Sequence, residues 1–245
     1  MIEHVFDILG SMLPSAPRSP AAVPPRRIDA ALAARARPVI STREQVLPVS
    51  DSLISLFPQG LRRGSVVVVD GAGPTGGAGG ATTLAVSLLA EATATGSWCA
   101  AVGLVDLGMV AVVELGVDPE RLAFVPSPGA MWPEVAAVLL DGMDLVVVCP
   151  PGPTRTAGAR RLAARARERR AVLVVLARHG RWPEGPDIFL TVEDGAWQGV
   201  ESGHGHLRGR RVTVAAAGRR AAVRAVRAEL WLPAASGAVE VVEQA

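Results

Sequence analysis

Residues 64–84 read GSVVVVDGAGPTGGAGGATTL. The valines at 66–69 are a buried-strand pattern, the glycines that follow form a turn, and an apolar run at helical spacing begins at Leu84 and extends to Ala94. Strand, glycine turn and helix in that order build a phosphate-binding loop, in which backbone N–H groups surround an anion. The loop ends in Gly80, Ala81, Thr82 and Thr83, where a working loop has glycine, lysine and then threonine or serine. Alanine stands in the lysine's place, and the chain contains no lysine in any register. The spacing also departs, because Gly73 and Gly80 enclose six residues and the working motif encloses four. Gly73, Gly79, Gly80, Ala81, Thr82 and Thr83 are therefore read as a degenerate loop that keeps the architecture and lacks the charge.

Two further positions complete a phosphoryl-transfer site. Magnesium needs an acidic residue at the end of a hydrophobic strand. Here that strand is MDLVVVCP, residues 143–150, and Cys149 occupies the magnesium position. A neutral thiol is a poor ligand for so hard a cation. Pro150 and Pro151 remove two backbone donors beside it, and Asp144 opens the strand at its far end. A catalytic acid is expected near Leu104, but the nearest, Asp106, reads as the cap of a helix starting near Met109. Three independent losses argue against phosphoryl transfer, so no catalytic residue and no cofactor are expected.

The 245 residues suffice for one α/β domain with appendages. No apolar run is long enough to span a bilayer; the best, residues 98–113, carries Asp106 and two glycines. The N-terminus lacks a basic start, and Cys99 and Cys149 fit a reduced compartment, so a cytoplasmic location is expected. Net charge is +2, with all 25 basic residues arginine. Codon bias against lysine accounts for arginine elsewhere, but not for alanine at 81.

Along the chain, residues 1–46 read as a short amphipathic helix (1–14), a proline-rich linker (15–25) and an Ala/Arg helix (26–37). The core, 47–218, alternates strands (66–69, 98–105, 122–125, 144–148, 171–177) with helices (82–95, 109–115, 132–140, 155–170). That alternation predicts a mostly parallel sheet covered on both faces. Shorter segments at 188–192, 196–201 and 212–216 predict an antiparallel extension. Residues 219–231 have apolar positions at helical spacing, giving a C-terminal helix and a tail to 245. Its Val223, Val226, Arg227, Leu230 and Trp231 are the expected partner-docking residues.

The arginine-rich stretch 155–181 has nine arginines and one acid, Glu168. On a helix, Arg161, Arg165 and Arg169 fall near one line, which suits weak DNA binding, a partner-facing surface or a solvated face. His204 and His206 share one strand face, but no Cys or acid at ligand spacing completes a metal site, so no metal is expected.

The order of features resembles the RecA recombinase core over residues 47–218. It is carried most clearly by VELGVDPERL at 113–122, between the second helix and third strand. Within that family the chain looks most like the ImuA/SulA-related branch, the actinobacterial ImuA-prime proteins. The shared features are the degenerate loop, LGVDPERL at 115–122 and GHGHLRGRR at 203–211. The resemblance implies a RecA-like core and an accessory role in a damage-induced mutagenic translesion complex. It implies as partners an ImuB-like Y-family polymerase homologue and an error-prone C-family polymerase, with no membrane association and no activity of its own. The family's DNA-binding loops are not recognisable, since residues 148–171 hold a single helix. An atypical nucleotide-binding ATPase and an arginine-rich DNA-binding module are the alternatives.

Overall fold

The computed structural model describes residues 45–70, 79–201, 204–218 and 226–242, all within the compact unit that spans 40–245. The elements expected over 1–37, Gly73 of the loop and Val223 of the C-terminal segment lie outside the described residues.

Among the described residues, nine strands form one sheet, in the order β11-β10-β9-β8-β3-β7-β6-β4-β5. Its centre comprises β3 (Val66–Asp70), β4 (Cys99–Val102), β5 (Leu122–Val125), β6 (Leu145–Val148) and β7 (Val172–Ala177). These pair in parallel, and β8 (Ile188–Glu201) joins β3 in parallel on the other side. β9 (His204–Gly218), β10 (Val226–Trp231) and β11 (Glu240–Val241) continue the sheet antiparallel. A separate two-stranded ribbon pairs β1 (Val46–Leu47) with β2 (Leu61–Arg62). The α/β class with a mostly parallel centre and an antiparallel extension is thus the observed architecture.

The valine runs are strands because they can be buried on both faces. Val67 and Val69 pack into one core with Leu84 and Ala85 of helix α1 (Ala81–Ser87), together with Leu53, Leu56 and Phe57. Val66 and Val68 pack into the opposite core, against α4 (Trp132–Gly142) and α5 (Thr156–Arg169). The small residues Ala159, Ala163 and Ala166 let α5 lie close on the sheet. Each buried Val or Leu contributes about 1.5–3 kcal/mol, so two apolar layers outweigh any local preference of the valines.

Three local expectations are corrected. The helix expected over 82–95 is broken into α1 and α2 (Ala90–Ala94). The Ser87 hydroxyl donates to the Leu84 carbonyl at 2.8 Å, and the Leu89 amide bonds back to Val86, at 2.9 Å. Such back-bonding from a helical serine bends the axis. Asp106 does not cap α3 (Met109–Glu114); Gly108 holds that position without a side-chain bond, and Asp106 is exposed in the preceding turn.

The third correction concerns the C-terminal helix expected over 219–231. Residues 226–231 are the strand β10, in register with β9 from Val226↔Ala216 to Trp231↔Arg211. Val226 and Leu230 are four apart, a spacing that fits a helix and a strand equally. Ala228, between them and also turned inward, tips the pattern to a period of two. The deciding term is the edge of β9, whose backbone donors and acceptors β10 satisfies.

Candidate functional site

The parallel strands end along one edge of the sheet, where α/β proteins place their ligands. Gly80 precedes α1 there with φ of 102°, a left-handed conformation that favours glycine. Ala81 opens the helix and is buried in the apolar core beside Leu84, so the position that lacks lysine also lacks water to solvate one. Thr82 and Thr83 follow, half-buried.

Cys149 lies at the end of β6, buried among apolar residues, with its amide donating to the Val102 carbonyl at 2.8 Å. Burial pushes its thiol up, against the opposing charge of Arg178, so the group stays neutral. Strand β7 separates β6 from β3, the loop strand. Asp144 sits at the opposite end of β6. Its carboxylate accepts from Arg63 at 2.6 Å and from the Trp98 amide at 3.1 Å, a structural clamp. Among the described residues no group of three or more His, Cys, Asp or Glu could hold a metal ion, and no helix is long and apolar enough to cross a membrane.

The segment LGVDPERL has a structural account. The Asp118 side chain accepts the Glu120 amide at 2.9 Å and caps the single turn Pro119–Arg121, while the Asp118 amide donates to Thr93 Oγ1 at 3.0 Å. Gly116 makes the turn before it, with φ of 88°. The segment therefore sets where β5 begins.

The arginine line on α5 is partly neutralised. Asp141 of α4 receives Arg165 through two bonds and Arg169 Nε at 3.0 Å. These guanidinium groups, Arg165 first, hold its carboxyl below the usual range. Arg160 pairs with Glu184 at 3.0 Å, and among the described residues no ion pair engages Arg161. The docking residues at the C-terminus are mostly committed to the sheet. Leu230 is fully buried, Val226 and Trp231 are half-buried, and Arg227 binds Glu193 at 2.8 and 3.0 Å.

One residue was missed by sequence reasoning. Arg210 of β9 is only 8% exposed, and its guanidinium lies against the end of the glycine loop. A Cβ on Gly79 would overlap Nη1, and a Cβ on Gly195 would sit 2.7 Å from Nε and 2.8 Å from Nη2. The ring of Trp197 lies 5.7 Å from the guanidinium carbon. Nε is buried without a hydrogen-bond partner, and burial disfavours the charge. A signal was available: Arg210, Val212, Val214 and Ala216 occupy alternate positions, so the strand period puts Arg210 on the buried face.

These features define an α/β protein with a mostly parallel sheet and a strand–turn–helix edge that has alanine at the lysine position and a cysteine after β6, while Asp70 closes β3. The chain belongs to the MT3502 N-terminal domain family, whose model matches residues 55–184. It is 43% identical over 154 residues to the uncharacterized protein Rv3395c of Mycobacterium tuberculosis (strain ATCC 25618 / H37Rv), a match covering 62% of this chain and 63% of that protein. The chain thus spans less than two thirds of that relative's length. The matched family residues carry β3 to β7 and stop short of β8 to β11.

Proposed function

We propose that this chain is a RecA-like adaptor of the ImuA/SulA-related kind, without phosphoryl-transfer activity. In this reading it serves a damage-induced mutagenic translesion complex in the cytoplasm and contacts an ImuB-like Y-family polymerase homologue and an error-prone C-family polymerase. The observation that carries the non-catalytic part is Cys149. Phosphoryl transfer needs a magnesium ion and its charge compensation at the strand end. A buried neutral thiol offers neither, and the two strands that flank β6 end in Val102 and Ala177. The burial of Ala81 adds to this, since a lysine installed there would enter the apolar core. The adaptor role follows from the resemblance and from the need of a chain without chemistry to act through binding.

Two measurements test the proposal. Phosphate release from magnesium–ATP by the purified chain should equal that of its Thr82→Ala variant; turnover lost in the variant would overturn the non-catalytic reading. Affinity capture of the tagged chain from DNA-damaged cells should recover the two polymerase components together. Their absence under conditions that recover them with each other would overturn the assignment to that complex.

A further inference from the structure

A buried guanidinium nitrogen without a hydrogen-bond partner is energetically costly. Arg210 is only 8% exposed, and its Nε is buried with no hydrogen-bond partner among the described residues. Such a group in a native structure calls for an explanation, and a bound ion is one that supplies the missing partner. Arg210 packs against two positions that carry no side chain. Gly79 and Gly195 flank the guanidinium at distances that exclude a Cβ, and Trp197 offers it a ring face. Its backbone is pinned from both directions, with the Arg210 amide donating to the Pro233 carbonyl at 2.8 Å and the Leu232 amide to the Arg210 carbonyl at 2.7 Å. The side chain therefore projects from a rigid position in the sheet to the end of the glycine loop.

We infer that Arg210 is the cationic anchor of an anion site at Gly79–Gly80 that takes a phosphate group, supplied as free phosphate or as the phosphate chain of a nucleotide. A guanidinium suits that chemistry, because its planar fork donates to two phosphate oxygens at once. The charge comes from β9, far along the chain, and reaches the point where the loop's own lysine is absent: a Cβ on Gly80 would lie 3.7 Å from Arg210 Nη1, and Ala81 follows directly. The site binds without turning over, since neither Arg210 nor Cys149 can hold magnesium. The inference does not depend on the translesion assignment: it is read by ligand binding, and that assignment by capture of partners.

The test is titration of the full chain with inorganic phosphate, pyrophosphate and magnesium-free ATP, followed by tryptophan fluorescence and thermal unfolding. Saturable binding of at least one is expected. Equal affinity for pyrophosphate and ATP assigns the site to free phosphates, and tighter ATP binding to a nucleotide; either outcome supports it. Arg210→Met should weaken binding at least roughly tenfold, the loss expected when a charge-assisted pair is removed. Without ligand, the same variant should unfold at an equal or higher temperature, because an unpaired buried charge has gone. Arg210→Lys keeps the charge and should retain part of the binding, which gives a readout even if the methionine variant misfolds. No saturable binding of any of the three at millimolar concentration would overturn the inference, as would undiminished binding by Arg210→Met.

Discussion

Cys99 and Leu230 show how far a single side chain's surroundings determine what it does. The Cys99 thiol is buried in β4, and burial, followed by the charge of Asp144 and opposed by Arg63, pushes it from 9.0 to about 12. The native state therefore favours the neutral thiol. Its contribution to stability is fully present below pH 9.0 and is lost as pH rises towards about 12. Urea unfolding across that window should show stability falling with pH, and Cys99→Ala should flatten the fall. Leu230 reports on packing instead. It is fully buried, in the core that also holds Val212 and Val214, so Leu230→Ala should destabilise by about 2–5 kcal/mol in denaturant unfolding. A cost near zero would mean that the side chain serves an outer surface, as a docking residue would.

At the scale of elements, α5 shows why counting arginines misjudges a surface. Arg165 and Arg169 share the single carboxylate of Asp141 on the neighbouring α4, so the line of three carries the net charge of about two. Each phosphate contact contributes to the salt dependence of DNA binding. Asp141→Ala should therefore strengthen DNA binding at low salt and steepen its loss with added salt, as measured by fluorescence anisotropy. Replacing Arg161, Arg165 and Arg169 together with Glu should abolish whatever binding remains. Binding indifferent to both changes would show that α5 is a solvated face braced on α4.

For the whole molecule, the consequence of β10 is cooperative. It pairs with β9 along six residues of each strand and carries β11 beyond it. Truncation after Gly218 would strip both strands, expose the edge of β9 and remove Leu230 and Leu232 from the core. The shortened chain should lose its single cooperative thermal transition and aggregate, as read by calorimetry and light scattering. A truncated protein that melts cooperatively but no longer captures its partners would instead restore the view of this segment as a detachable docking element.

The sequence by itself determined the class of fold and the residues that stand at the lysine and magnesium positions of the loop. Runs such as residues 66–69 and 145–148 carry their burial in their composition, because valine on both faces has no stable place except between two apolar layers. The absence of lysine and the presence of Cys149 are facts of composition that no folding could reverse. Tertiary structure alone decided the rest. Residues 226–231 are a strand because β9 offers an edge that must be paired, a demand invisible in a local window. Asp141 quenches the arginine line because α4 and α5 lie side by side. Arg210 reaches Gly79 because β8 joins β3 in parallel and β9 follows, so that a residue remote in sequence arrives at the loop. Burial and pairing are sums over neighbours, and the chain acquires those neighbours only on folding.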